Sequence, residues 1–410
     1  MKDLWQWLVH VCRRWRYLVF GSPRRLNLRL RCTPETSTRD TLDVWPALPL
    51  TVQAIRTSRM DNVVAALGQN NRVCRVHLEI HGGQTEEVLA AMQVPFPELT
   101  ELQLSSFGGE PVIPDSFLGG SAPRLQVFDL SDIPFPGLPN LLLSATHLVD
   151  LRLSNIPHPG YISPEAMVAL LSILSSLKNL SLGFPSPQSR PGRESRNLRP
   201  PQPSTLPVLS YLHFEGVTEY LEDLVTSIDT PQLDHLHIKF LNSSRFDCPR
   251  LAQFIDCTPA LRALDEVHVG FDESEASLKI RYRSSKSGPR IRIIIPRRRR
   301  GDLQLSFIKQ VCNSFLHTLS TVEGLYIEHQ HQRRFWKNDA TENNLWLGLL
   351  LPFTAVKNIH LSAYEEFAPG IVTAMRELVG ARKRKCCPTC RMFSWTRSSY
   401  TGGNGYVVCN

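Results

Sequence analysis

The chain lacks what would place it in a membrane, in the secretory route or among common enzyme classes. No apolar run reaches the ~20 residues that a bilayer requires. The best candidate, 345–356, is short and contains Pro352. Arg13, Arg14 and Arg16 interrupt the N-terminal apolar stretch, so no signal peptide is expected. There is no glycine-rich dinucleotide loop, no phosphate-binding G-x-x-x-x-G-K, no H-E-x-x-H and no G-x-S-x-G. His329 and His331 have no further ligand string nearby. Cys387 and Cys390 have the spacing of a zinc knuckle, but only Cys409 follows them. The glycines of TGGNGY at 401–406 follow no strand pattern and precede no helix pattern. No catalytic, cofactor-binding or metal-binding residue is assigned, and no enzyme activity is expected.

A disulfide framework is not expected either. Cys12, Cys32, Cys74, Cys248, Cys257 and Cys312 are scattered, several of them among apolar neighbours, which suits reduced thiols in the cytoplasm or nucleus. With 410 residues, the chain is long for one compact core and fits two or three domains or one elongated solenoid. The formal charge of +8 is unevenly spread. Residues 1–31 hold eight Lys or Arg against one Asp, and residues 276–300 hold ten against no acid, leaving −9 over the rest. Such basic patches are usually solvated faces, and nucleic acid is not expected as a partner.

The body of the chain has a cadence. Strings of the form L-x-x-L-x-L with apolar variants end in Val76-x-Leu78, Leu102-x-Leu104, Phe128-x-Leu130, Leu151-x-Leu153, Leu180-x-Leu182, Leu212-x-Phe214, Leu236-x-Ile238 and Val267-x-Val269. The steps run from 23 to 32 residues, close to the ~20–29 of leucine-rich repeats. Two apolar residues two apart share one side of a strand, and stacked units bury that side together. Prolines stand just ahead of the units at Pro97, Pro123, Pro207, Pro231 and Pro259. Ser163, Pro164 and Glu165 read as the cap and first turn of a helical return over 163–177. The expected fold is α/β: a leucine-rich-repeat solenoid of parallel strands with outer helices and irregular returns.

Two segments interrupt the cadence within 32–269 and after it. Residues 183–207 contain seven prolines and little apolar surface, so a disordered insertion is expected. Over 270–300, Leu278, Ile280 and Tyr282, then Ile291, Ile293 and Ile295, alternate with polar residues as in a β-hairpin, before the run Arg297–Arg300. Repeats resume over 301–385, at Leu319-Val322-Leu325-Ile327 and Phe353-Val356-Ile359-Leu361.

At the N-terminus, Trp5, Leu8, Val9, Cys12, Trp15 and Val19 recur at helical spacing, and Gly21, Ser22 and Pro23 stop the helix. The spacing alone fits a core-facing helix as well as a docking one. The string Val11-Cys12-Arg13-Arg14-Trp15 resembles the second half of an F-box. With SPRRLNL at 22–28 and DVWPALPL at 43–50, the chain is similar to the F-box-like repeat proteins expanded in mushroom-forming (basidiomycete) fungi, through to about residue 380. The leading L-P-x-E helix of an F-box has no match here, so residues 1–31 correspond to a partial F-box. The resemblance implies a substrate-recognition subunit of a cullin–RING ubiquitin ligase. A Skp-type adaptor would contact Leu8, Val9, Cys12, Trp15 and Val19, and a target protein would sit on the repeats. The alternative is a free-standing repeat module for protein interaction that has lost the adaptor contact.

The tail 386–410 departs from the pattern. Read two bases out of frame, the codons for Cys386 to Trp395 are compatible with L-P-[NDHY]-L-Q-[ND]-V-F-L, a further repeat unit preceded by Pro. The expectation is a tail translated out of its ancestral frame, with Cys386, Cys387, Cys390 and Cys409 binding nothing and no packing on the solenoid. A divergent tail is the alternative.

Overall fold

A computed structural model describes residues 12–20, 28–33, 35, 37–45, 47–55, 59–108, 112–185, 203–241, 246, 248–262, 264–272, 274–282, 290–296, 304–329, 340–362, 368–383 and 392–396. The chain divides into two compact units, Met1–Pro191 and Gly192–Asn410. Both are α/β, with mostly parallel strands.

In the first unit, β1 (Leu28–Arg31), β2 (Leu50–Ile55), β3 (Val73–His81), β4 (Glu101–Phe107), β5 (Val127–Ser131), β6 (Asp150–Ser154) and β7 (Asn179–Gly183) lie side by side in chain order. Every pair is parallel. The middle and last apolar residues of each repeat pair in register, Leu102 with Phe128 and Phe128 with Leu151, and all are buried. Each such side chain contributes roughly 1.5–3 kcal/mol by leaving water.

The prolines have one shared job. Pro97, Pro123, Pro207, Pro231 and Pro259 each hold the second position of a four-residue turn. The turn closes when Leu99, Leu125, Leu209, Leu233 or Leu261 donates its N–H to the carbonyl three residues back. A fixed φ near −65° suits that position, and the missing proline N–H falls where none is needed. All five leucines are buried, so one turn both directs the chain into the next strand and plugs the floor of the repeat. The helical return is capped as expected: Ser163 Oγ accepts from the Ala166 N–H, and Pro164 opens the helix. That helix ends at Leu171, not near 177, and Leu174 and Leu177 reach the core from turns.

In the second unit, β8 (Ser204–Thr205) pairs with β10 (Ile228–Asp229). The main sheet runs β9 (Tyr211–Gly216), β11 (His235–Phe240), β14 (Ile291–Pro296), β13 (Glu275–Arg281), β12 (Glu266–Phe271), β15 (Gly324–His329), β16 (Asn358–Ser362) and β17 (Met392–Thr396). The strand expected near 267 is present but is not the neighbour of the strand near 236. The expected hairpin, as β13 and β14, is inserted between them. Its two antiparallel pairings let β14 meet β11 in parallel. The reason is apolar: Ala276, Leu278 and Ile280, with Ile291, Ile293 and Ile295, are all buried and need a covered sheet interior.

Two further expectations are corrected. Ser204 and Thr205, assigned to the disordered insertion, form β8, and Gly183 belongs to β7; residues 186–202 lie outside the described residues. The tail was expected to stay apart, yet β17 pairs in parallel with β16, matching Ile359 with Phe393 and Leu361 with Trp395. Cys386, Cys387, Cys390 and Cys409 lie outside the described residues.

Candidate functional site

The residue between the two apolar positions of a repeat points to the opposite, polar side of the sheet. Parallel pairing lines these residues up, one per strand, about 4.8 Å apart. Each unit therefore carries a row of side chains running across its strands.

In the first unit the row is Arg31, Gln53, His77, Gln103, Asp129, Arg152 and Ser181, each in register with the next. Gln53, His77, Gln103 and Asp129, with Glu79, Ser131 and Ser154, line an open groove of about 480 Å³. Its groups hold each other in place. His77 Nδ1 lies 3.0 Å from Gln103 Oε1, and Gln103 Nε2 donates to Glu101 Oε1 at 3.0 Å. Arg152 donates to Asp150 Oδ2 at 2.7 Å and stands 3.9 Å from Asp129. Burial pushes the Asp129 carboxyl above its ordinary range; Arg152 opposes this and Asp150 reinforces it. Asp150 Oδ1 is buried with no hydrogen-bond partner among the described residues.

In the second unit the row is His213, His237, Arg292, Lys279, His268, Tyr326, His360 and Ser394. It contains no acid. The rings of His213 and His237 meet edge to face at 4.6 Å. His268 stacks on Tyr326, and Tyr326 on His360, each with centroids 4.3 Å apart and nearly parallel planes. Carboxylates lie in the flanking rows and are taken up there. Glu215 pairs with Lys239 at 2.7 Å, Glu328 with His268 Nδ1 at 2.9 Å, and Glu266 with Arg281 at 3.1 Å. The hydrogen bond from His268 holds the Glu328 carboxyl below its usual range, against the effect of burial. Burial pushes His213 down, and burial with His213, Arg292 and Lys239 nearby pushes His237 down to about 4. Both rings are therefore neutral at pH 7.

The N-terminal helix is described over Arg13–Phe20. Cys12 is exposed, as are Trp15 at 47% and Tyr17 at 81%, so Cys12 and Trp15 do not dock on the first strand. Leu8 and Val9 lie outside the described residues, as does the side chain of Val19. The adaptor candidates are thus not brought together as a described cluster.

Neither strand-face row is marked by a motif. The signal was nevertheless in the sequence, as the single residue enclosed by each apolar pair: V-H-L at 76–78, L-H-F at 212–214, L-H-I at 236–238, V-H-V at 267–269 and I-H-L at 359–361. Reading the repeats as columns exposes the histidines. Compared with known proteins, the chain matches no family profile and no curated sequence. Among the described residues, no helix is long and apolar enough to cross a membrane.

Proposed function

We propose that the chain is a leucine-rich-repeat interaction protein that serves as the F-box-like substrate-recognition subunit of a cullin–RING ubiquitin ligase. One observation carries the interaction reading: every repeat spends its leucines on the core and turns one polar residue outward in register with its neighbours. The result is two rows of polar groups, Gln53 to Ser181 and His213 to His360, each of them half-buried or exposed. Such rows suit recognition of a protein surface.

The receptor reading draws on the V-C-R-R-W string and on Cys12 and Trp15, both exposed and so accessible to an adaptor. The protein would act in the cytoplasm or nucleus, where free thiols such as Cys32, Cys248 and Cys312 stay reduced.

Affinity purification of the full chain from its native cell tests this. Recovery of a Skp-type adaptor and a cullin is the expected result, with loss on Trp15→Ala. Recovery of target proteins without either subunit would leave the free-standing module.

A further inference from the structure

We infer that the outward row of the second unit binds an extended acidic polypeptide segment laid across the strands, its carboxylates meeting Lys279 and Arg292. This rests on the interaction-module reading and adds the chemistry of the partner.

At the centre of the row two cations adjoin, and their counter-charges are held only loosely. Lys279 and Arg292 face each other in register across β13 and β14. Like charges directly opposite on a sheet destabilise it, so a protein gains nothing from the pair by itself. Among the described residues no carboxylate is hydrogen-bonded to either, and Arg292 Nη2 stands in a long ion pair with Glu275 at 3.8 Å. The Arg292 side chain is 39% exposed, and its Nε–H finds no acceptor among the described residues. Of the other neighbouring acids, Glu215, Glu328 and Glu266 make their close contacts with Lys239, His268 and Arg281, and Lys279 acts on Glu328 only through space. A carboxylate from outside would supply acceptors only, which is what these groups lack.

The dimensions suit a peptide. From His213 to His360 the row crosses seven strands and six gaps, and at ~4.8 Å each this stretch spans roughly 29 Å. An extended chain at ~3.3 Å per residue covers that length in about nine residues. The rings argue against single-stranded nucleic acid. Bases bind such sheets by stacking on free aromatic faces. Here His268, Tyr326 and His360 stack on one another at 4.3 Å, so Tyr326, the middle ring, has both faces occupied.

The test uses the full chain and fluorescence anisotropy with three labelled probes: a nine-residue peptide alternating Glu and Ala, its Lys counterpart, and a nine-nucleotide single-stranded RNA. The acidic peptide should bind, and the other two should not compete with it. Lys279→Gln and Arg292→Gln should each weaken binding by about tenfold or more, as expected for loss of a charge-assisted hydrogen bond. Lys279→Arg should keep it, and Arg124→Gln, an exposed cation on a turn of the first unit, should change nothing. Circular dichroism on each variant separates lost binding from lost folding. If a Gln variant unfolds, competition between the acidic and basic peptides on the native chain decides. Acidic-peptide binding that ignores both Gln substitutions, or RNA bound more tightly than the peptide, overturns the inference. Adaptor and cullin recovery is read independently: a chain that recovers them but ignores the peptide loses only this inference, and one that binds the peptide without them loses only the receptor reading.

Discussion

Asp132 and Asn155 occupy equivalent places one repeat apart, and the Asn155 side-chain amide donates to the Asp132 carboxylate. Each is the first residue after a strand, β5 or β6, and each has a positive φ, 62° and 51°. Gly108, the first residue after β4, has φ 70°. The left-handed conformation at these three positions turns the chain out of the sheet at the same point of successive repeats. Asp and Asn tolerate it better than other side-chain-bearing residues.

Asn155→Val should therefore be costly for two reasons: a β-branched residue in the left-handed region and a lost bond to Asp132. The expected loss is ~1–3 kcal/mol, read as a lower urea midpoint. Asn155→Gly relieves the backbone and loses only the bond, so it should fall between Val and the parent. A Val variant as stable as the Gly variant would refute the backbone argument.

The strands were legible because their signal is local and repeated. Each of the eight expected centres from 76 to 267 falls in a strand, and the five prolines fall in one kind of turn. Neighbour order was not legible at one place. Nothing in the alternation of Leu278 and Ile280 or of Ile291 and Ile293 says whether a hairpin hangs off a sheet or enters it, because both use the same period of two. The helix after Ser163 is shorter than its apolar spacing suggests, because Leu174 and Leu177 continue a pattern that turns also satisfy. The His-bearing row was hidden differently. Its members are scattered in sequence and converge only through register, although each one is visible between its apolar neighbours.

Leu151 probes the repeat core. It is fully buried in β6, between Phe128 and Leu180 in register. Leu151→Ala should cost ~2–5 kcal/mol through lost burial and the cavity left behind. Leu151→Asp should unfold at least the first unit, because an unpaired carboxylate there has no partner. Thermal unfolding followed by circular dichroism checks both, and an Asp variant as stable as the Ala variant would mean the site is not a dry core.

The thiols separate into two groups. Burial pushes Cys312 up to about 12 and Cys32 up to about 11, the latter partly offset by a hydrogen bond with Thr38. Thiolate is the reactive form, so both should resist iodoacetamide at pH 8 in the native chain. Cys12 and Cys257 are exposed and should be alkylated. Peptide mass spectrometry before and after denaturation reads each site. Native labelling of Cys312 would show that its helix, Gln304–Ser314, opens readily.

The histidines of the second unit should make its stability depend on acid in a defined window. His237 is held down to about 4, first by burial and then by His213, Arg292 and Lys239; His213 is shifted in the same direction. Unfolded, a histidine takes up its proton near 6.5. As pH falls below about 6.5, the unfolded chain binds a proton that the folded one refuses, so unfolding gains and stability drops. The loss grows until about pH 4, where folded His237 protonates as well. His237→Gln removes this titration while keeping a neutral polar group in the row. Urea midpoints measured from pH 7 to 5 should therefore fall less steeply in the variant than in the parent. Carboxylates elsewhere titrate in both proteins and cancel in the comparison, so parallel curves would mean that His237 accepts its proton in the fold as freely as in the unfolded chain.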